Sequence, residues 1–300
     1  MALAGGVGGA KLLVGLDALL GSGDLTAVVN TGDDATIYGV HVSPDVDIVT
    51  YWLGGLADTD RGWGIRGDTF TVVESLARLG VESWFRLGDR DFATCLYRTE
   101  RLRDGATLTL VADEIRKRLG VRTTILPMSD DAAPTRLQTA EGRELEFQDY
   151  FVRQRAEPEI SGVLLGAREA KPTPAVLDAL AGSDLAILCP SNPFLSLGPI
   201  LALPGVRDAL ISHPHVIAVS PIIRGAALKG PADRMMRSLV GESSASAVAS
   251  LYSDFCDEFI VDSSDIEELK RLPKGIGAKS LPTIMKSASD ASRLAEALIG

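Results

Sequence analysis

The stretch that most constrains this chain is Leu3-Ala4-Gly5-Gly6-Val7-Gly8-Gly9-Ala10-Lys11, in which four of five consecutive residues are glycine. A very short apolar opening precedes it. Leu12, Leu13, Leu16, Leu19 and Leu20 then recur at helical spacing until Gly21. The pattern reads as a strand, a glycine turn and a helix. Such a unit suits an anionic ligand, because glycine lets backbone come close and a helix N-terminus offers free N–H groups and partial positive charge. Lys11 adds a full charge. The alternative is a tight strand–helix turn with no ligand. The stretch is neither a Walker loop nor a dinucleotide fingerprint, since Lys11 stands where the third glycine of Gly-x-Gly-x-x-Gly belongs.

Three hundred residues are enough to bury a large core, and aliphatic residues far outnumber aromatic ones. The expected fold is α/β and Rossmann-like: a mostly parallel sheet flanked by helices, with a helical insertion and a short β-hairpin excursion. We read residues 1–300 as a single domain, with about 55–120 forming a smaller helical subdomain. A net charge of −10 argues against general nucleic-acid binding and against adhesion to anionic membranes. Cys95, Cys189 and Cys256 form no Cys-x-x-Cys pair and sit in apolar contexts, so buried free thiols in a reducing compartment are expected. The N-terminus lacks the basic region of a signal peptide and no apolar run reaches bilayer length, which leads to the expectation of a soluble cytoplasmic protein.

Along the chain, Leu25–Val29 reads as a buried strand and Asn30–Asp34 as the loop at its carboxyl end, where ligands of open α/β sheets sit. Ser43 is expected to cap a helix with Pro44 in its first turn, which puts Asp45 and Asp47 near one helix N-terminus. A helix is expected over Phe70–Leu79, another after Asp89 as its cap, and a third over Val111–Leu119. Thr135–Thr139 and Arg143–Phe147 read as a hairpin. Val163–Leu165 is read as the point where βα alternation resumes. Leu185–Cys189 and Val216–Ser220 read as buried strands, the first running into Pro190-Ser191-Asn192-Pro193. Ala245–Phe255 and Ala291–Leu298 carry helical patterns.

The aspartates are the second clue. Asp33, Asp34, Asp45, Asp47, Asp58, Asp60, Asp68, Asp89, Asp91, Asp130 and Asp131 all fall in expected loops or first turns. Mg²⁺ is normally held by one or two carboxylates with water and substrate phosphates, while capping and solvation are the plainer reading of any single one. Arg61, Arg66, Arg86 and Arg90 could clamp phosphate or carboxylate, or pair with neighbouring aspartates. Trp52, Trp63 and Trp84 could pack in a core or stack on a flat ring. His41, His213 and His215 lack zinc spacing, and no Gly-x-Ser-x-Gly elbow is present.

Eight stretches, Gly5–Lys11, Val29–Asp34, Ser43–Asp47, Trp63–Phe70, Leu87–Asp91, Ile125–Asp131, Pro190–Pro193 and Val219–Ile223, follow one another over nearly the whole chain. In that order they resemble the 2-phospho-L-lactate transferase family of coenzyme F420 biosynthesis. The resemblance implies a Rossmann-like core, Mg²⁺ dependence and often a homodimer. It implies transfer of a phosphorylated three-carbon acid, phospholactate or phosphoenolpyruvate, from a GDP-linked donor to the ribityl hydroxyl of a deazaflavin alcohol, with release of GMP.

By motif matching, the deazaflavin falls on Asp47 and Arg86, with Trp63 as a stacking surface. The nucleotide falls on Gly5, Gly6, Gly8, Gly9, Lys11, Ser191, Asn192 and Pro193. The chemistry of phosphoryl transfer, which is mostly positioning and charge neutralisation, then puts the expected metal on Asp45 and Asp60 and the catalytic roles on Asp47, as base, and Asp45. Gly32-Asp33-Asp34 departs from the family pattern and leaves the role of Asp33 open. The alternative is a non-catalytic nucleotide-sugar-binding regulator of a related Rossmann-like family. An NAD(P)-linked oxidoreductase is a third and weaker one.

Overall fold

The protein is described by a computed structural model that covers residues 1–21 and 23–300. Strand β1 (Ala2–Ala4) turns directly into helix α1 (Gly6–Leu19), and β2 (Thr26–Val29) follows. A hairpin, β3 (Ala35–Ile37) and β4 (Val40–Val42), leads into α2 (Pro44–Leu53). Helices α3 (Thr71–Arg78), α4 (Asp89–Arg103) and α5 (Leu108–Arg118) precede β5 (Thr124–Pro127). Strands β6 (Thr135–Thr139), β7 (Glu144–Glu146) and β8 (Ile160–Leu165) form a separate three-stranded sheet. Then come α6 (Pro174–Ala181), β9 (Ala186–Leu188), α7 (Leu197–Ala202), α8 (Val206–Ile211) and β10 (Val216–Val219). The short ribbon β11 (Ile222–Ile223) and β12 (Ala226–Ala227) precedes α9 (Ala232–Val240) and α10 (Ala245–Ser250). The chain closes with β13 (Glu258–Asp262), β14 (Gly277–Leu281) and α11 (Ala288–Ile299).

Seven strands make the central sheet in the order β14-β13-β10-β9-β1-β2-β5. Every pairing in it is parallel, from Ala2 opposite Ala27 to Asp262 opposite Leu281. Parallel strands need covering helices on both faces, and successive side chains alternate between the faces. Ala2, Ala4, Val29, Ile187 and Ile217 join α1, α2 and α11 in one buried cluster. Leu3, Val28, Leu188, Val216 and Phe259 join α7, α8 and α10 in the other. The expected Rossmann-like α/β class is the observed one.

The region about 55–120 divides in its packing. Val73 of α3 and Cys95 of α4 join Leu87 on the β3–β4 hairpin in a small cluster of their own. Ala112 of α5 instead belongs to the core face of the central sheet.

Three local expectations change. Ser43 stands at the N-cap of α2, but its hydroxyl makes no capping bond and donates to Asp34 Oδ1 at 2.7 Å. Asp89 lies inside α4 rather than capping it, and its carboxylate accepts the N–H groups of Thr71 (3.1 Å) and Val72 (2.9 Å) at the start of α3. Val163–Leu165 does not return to the central sheet. It pairs antiparallel with β6, as the third strand of a sheet whose Leu137 and Ile160 pack with Tyr150, Leu195 and Met235. The three thiols are free and buried, as expected.

Candidate active site

The strand order reverses at β1. The chain leaves β1 toward β2 on one side and leaves β9 toward β10 on the other. The crevice beyond the carboxyl ends at such a switch point is where open α/β sheets bind ligands. Here it is framed by Gly5–Gly9 after β1 and Pro190–Pro193 after β9. The two loops are stitched together. Ser191 Oγ accepts the Gly5 N–H at 3.2 Å and donates to the Gly5 carbonyl at 2.8 Å. A Cβ on Gly8 would stand 2.3 Å from the Pro190 carbonyl oxygen. The absence of a side chain there therefore serves loop-to-loop packing as well as room for a ligand. Gly6 has φ +64°, a left-handed conformation natural to glycine. Asn192 Oδ1 accepts the N–H groups of Phe194 (2.9 Å) and Leu195 (3.1 Å), holding the second loop rigid.

Two orphan amides of the α1 N-terminus are taken internally. Gly5 bonds to Ser191, and Gly6 donates to Asp45 Oδ1 at 2.7 Å. Val7 and Gly8 supply the next two N–H groups of the same helix start. The other Asp45 oxygen accepts from Asn30 Nδ2 at 2.9 Å, and the same amide nitrogen lies 3.2 Å from Asp33 Oδ1 and 3.2 Å from the Leu195 carbonyl. Asn30 is 1 %, Asp33 4 % and Asp45 6 % exposed. Burial pushes Asp45 up to about 6 and Asp33 well above the usual carboxylate range, the latter with added repulsion from Asp45 and Asp34. Asp34 is bound by His41 Nε2 (2.9 Å) and Ser43 Oγ. Thr31 Oγ1, on the same loop, and Thr135 Oγ1, on β6, are buried and have no hydrogen-bond partner among the described residues.

Asp47 points elsewhere. Residues two apart on a helix do not share a face. Its carboxylate meets Arg98 of α4, whose Nη1 donates to Asp47 Oδ2 at 3.1 Å while Nη2 bonds the other oxygen. Both side chains are almost wholly buried. Tyr51 hydroxyl donates to Asp91 at 2.8 Å just beside them. Burial pushes Asp91 up to about 7, with the Asp47 charge adding to it.

The expected residues of the insertion lie on the rim. Asp60 is exposed in the turn Asp58–Gly62. That turn packs on α1, since a Cβ on Gly62 would meet Val7 Cγ2 at 3.3 Å. Trp63 is 36 % exposed, with the Arg61 guanidinium 5.1 Å over its ring. Arg86 is exposed and lies 4.2 Å over Phe70. Arg61 and Arg90 reach Asp58 and Asp68, so their charges are shared with neighbours. Trp52 donates to the Gly62 carbonyl at 3.3 Å, and Trp84 packs edge-on to Phe85. Lys11 Nζ donates to the Met285 carbonyl at 2.8 Å and sits 5.6 Å over Trp52. Burial and then nearby Lys229 lower its pKa.

A model of the family described as 2-phospho-L-lactate transferase CofD matches residues 1–280. The chain belongs to this transferase family. The 2-phospho-L-lactate transferase of Methanosarcina mazei is 41 % identical over 297 residues, covering 98 % of this chain and 97 % of that protein. The phosphoenolpyruvate transferase of Streptomyces griseus is 40 % identical over 303 residues, covering 98 % and 95 %. Among solved structures, a UPF0052 family member from Bacillus halodurans superposes with a TM-score of 0.65 at 17 % identity, covering 100 % of this chain and 97 % of that one, a likeness of fold.

As a CofD-family transferase, the chain gathers most of the expected residues around one crevice. Gly5, Gly6, Gly8, Gly9, Ser191, Asn192 and Asp45 meet at the switch point, and Gly62 brings the turn bearing Asp60 against Val7. Asp47 shares a helical turn with Asp45 but is turned toward the insertion. Three participants escaped the sequence reading. Asn30 lay in a recognised loop but had no assigned role. Arg98 sits in a charge-rich helix and belongs to no motif. Lys229, which donates to the Arg61 carbonyl at 3.2 Å, comes from a loop with no motif. Among the described residues no helix is long and apolar enough to cross a membrane.

Proposed function

We propose that this transferase moves a phosphorylated three-carbon acid from a GDP-linked donor to the ribityl hydroxyl of a deazaflavin alcohol and releases GMP. The observation that carries the reading is the divergence of two carboxylates on one turn of α2. Asp45 faces the glycine-led helix start, and Asp47 faces the insertion that bears Trp63 and Arg86. One helix end thus meets the donor-side helix start through Asp45 and, through Asp47, the buried Arg98 of the insertion.

In the reaction, the ribityl oxygen forms a bond to the phosphorus that carries the acid. The bond from that phosphorus to the bridging oxygen of the diphosphate breaks, and GMP leaves with that oxygen. The proton of the hydroxyl passes to a carboxylate. Phosphoryl transfer of this kind is mostly positioning and charge neutralisation. The amides of Val7 and Gly8 and the Lys11 ammonium hold the diphosphate. Ser191 and Asn192 keep the opposing loop at its distance. Arg86 and Trp63 receive the ring. Asp47, held by a guanidinium on both oxygens, is a fixed anion suited to orient the acceptor rather than a free base. The proton falls instead to a donor-side carboxylate other than the one that holds the ion.

The donor set fits Mg²⁺. It is all oxygen, Asp45, Asp33 and Asp34 crowd their charge in a buried space, and two threonine hydroxyls stand there without partners among the described residues. Asp45, with Asp60 from the rim turn, would hold the ion. When bound, it would neutralise charge on the transferring phosphoryl group. A homodimer and a cytoplasmic setting belong to the same reading.

The test follows GMP with enzyme, Mg²⁺, deazaflavin alcohol and each candidate donor, before and after chelation. Release with one donor, lost on chelation and restored by Mg²⁺, supports the reading. No GMP from either donor overturns it. Light scattering at assay concentration tests the dimer.

A further inference from the structure

Among the described residues, Arg98 is the largest fully buried side chain, at 1 % exposure. It leaves α4 and crosses to α2, where its two terminal nitrogens take both oxygens of Asp47. Nη1 also donates to the His41 carbonyl at 3.1 Å. The neighbouring residue Thr99 accepts the His41 N–H at 2.7 Å, and His41 Nε2 meets Asp34. One guanidinium therefore ties α4, the β3–β4 hairpin and the first turn of α2 together.

The surroundings explain why an arginine is needed. Oxygens of Asp47 and Asp91 and the sulfur of Cys95 lie within 4.8 Å of one another, a grouping of the kind that gathers a cation. Arg98 supplies the cation from the chain itself. Burial works against its charge, but the pulls of Asp47, Cys95 and Tyr51 together outweigh this and the guanidinium pKa is raised. A buried ion pair contributes little to stability compared with apolar packing and is costly to break on one side. What it does provide is a carboxylate fixed in position and direction by a planar two-pronged donor, which lysine cannot reproduce.

We propose that Arg98 is the positioning residue that fixes the Asp47 carboxylate, and through it the insertion, at the distance from Asp45 that the acceptor substrate requires. The inference rests on the proposed function, in which Asp47 faces the deazaflavin alcohol. Arg98 touches no substrate in this account. It sets where a substrate-binding carboxylate stands.

The test compares the wild type with Arg98→Lys and Asp47→Glu in GMP-release kinetics, with equilibrium dialysis of the deazaflavin alcohol and of GDP beside them. Arg98→Lys keeps the charge and loses the fork. Asp47→Glu keeps the ion pair and moves it by one methylene, so it remains informative where the lysine variant fails to fold. Each variant is expected to raise the acceptor KM and dissociation constant about 10-fold, because a displacement of this size is costly to alignment. Donor KM and GDP affinity should stay within about twofold of the wild type. A lowered Tm with wild-type acceptor KM in the folded variants overturns the inference and leaves Arg98 a structural ion pair. Equal loss of donor and acceptor binding overturns it as well. Variants that show neither change, beside a wild type that releases GMP, refute the positioning role alone. A wild type that neither binds the deazaflavin alcohol nor releases GMP removes the proposed function and this inference with it.

Discussion

Asp45 and Asp47 stand two residues apart on the first turn of α2, and their carboxylates serve opposite neighbours. Asp45 Oδ1 accepts the Gly6 N–H at 2.7 Å, while Asp47 is held by Arg98, which lies 51 residues further along the chain. Helical geometry separates the two directions, and the Pro44 start fixes where the turn begins. The site is arranged around that divergence.

Replacing Asp45 by Asn keeps an oxygen that can accept from Gly6 and removes the charge. The new amide nitrogen faces that of Asn30, which loses its acceptor, so Tm should fall by a few degrees even though burial penalises the charge. GMP release should fall by at least about 100-fold, the scale of losing a metal ligand at a phosphoryl site. Differential scanning calorimetry and steady-state assays check both halves. Wild-type turnover would show that Asp45 binds no ion used in the reaction.

The Gly8→Ala substitution places a methyl carbon 2.3 Å from a backbone oxygen of Pro190, which has no flexible end to give way. The expected cost is about 3 kcal/mol, read as a fall in Tm of about 5 °C or more. A thermal melt decides it. An unchanged Tm would mean that the two loops separate more easily than their packing implies.

Removing the Ser191 hydroxyl leaves the N–H and the carbonyl of Gly5 without their buried partner. Ser191→Ala should cost about 1–3 kcal/mol in stability. Because Gly5 opens the donor-side loop, donor KM should rise while acceptor KM stays near the wild-type value. Kinetics with each substrate varied in turn provide the check.

Asp91 gives a pH prediction. Burial first, then the charge of Asp47, raise its pKa from an ordinary 3.8 to about 7. The folded state therefore binds this proton more tightly than the unfolded chain does. The stability it contributes is complete below about pH 4 and is lost as pH rises to about 7. Asp91→Asn can still accept from the Tyr51 hydroxyl and does not titrate. The Tm of the variant minus that of the wild type should grow from pH 4 to pH 7 and level off above. A difference independent of pH would mean that Asp91 is charged throughout.

Much of the fold was legible locally. The alternation of buried strands with helical patterns gave a parallel sheet, and turn residues marked its carboxyl-end loops. Gly5–Gly9 and Pro190–Pro193 were recognisable as loops of that kind because a strand, a turn and a helix start are each encoded within about ten residues. The misreadings came where local rules met tertiary competition. Ser43 has the side chain of a cap, yet Asp34 offered its hydroxyl a charged acceptor. Asp89 caps a helix, but the one before it in the chain.

The sequence by itself determined the α/β class, the glycine-led helix start and the ordered set of motifs that identify the family. Only the tertiary structure decided that Ser191 locks onto Gly5, that Asn30 bridges Asp33 and Asp45, and that Arg98 claims Asp47. Those pairs are separated by up to 186 residues, and their geometry depends on how helices settle on a twisted sheet. Local pattern specifies which face of an element is buried. It does not specify which polar group will stand opposite once the faces close.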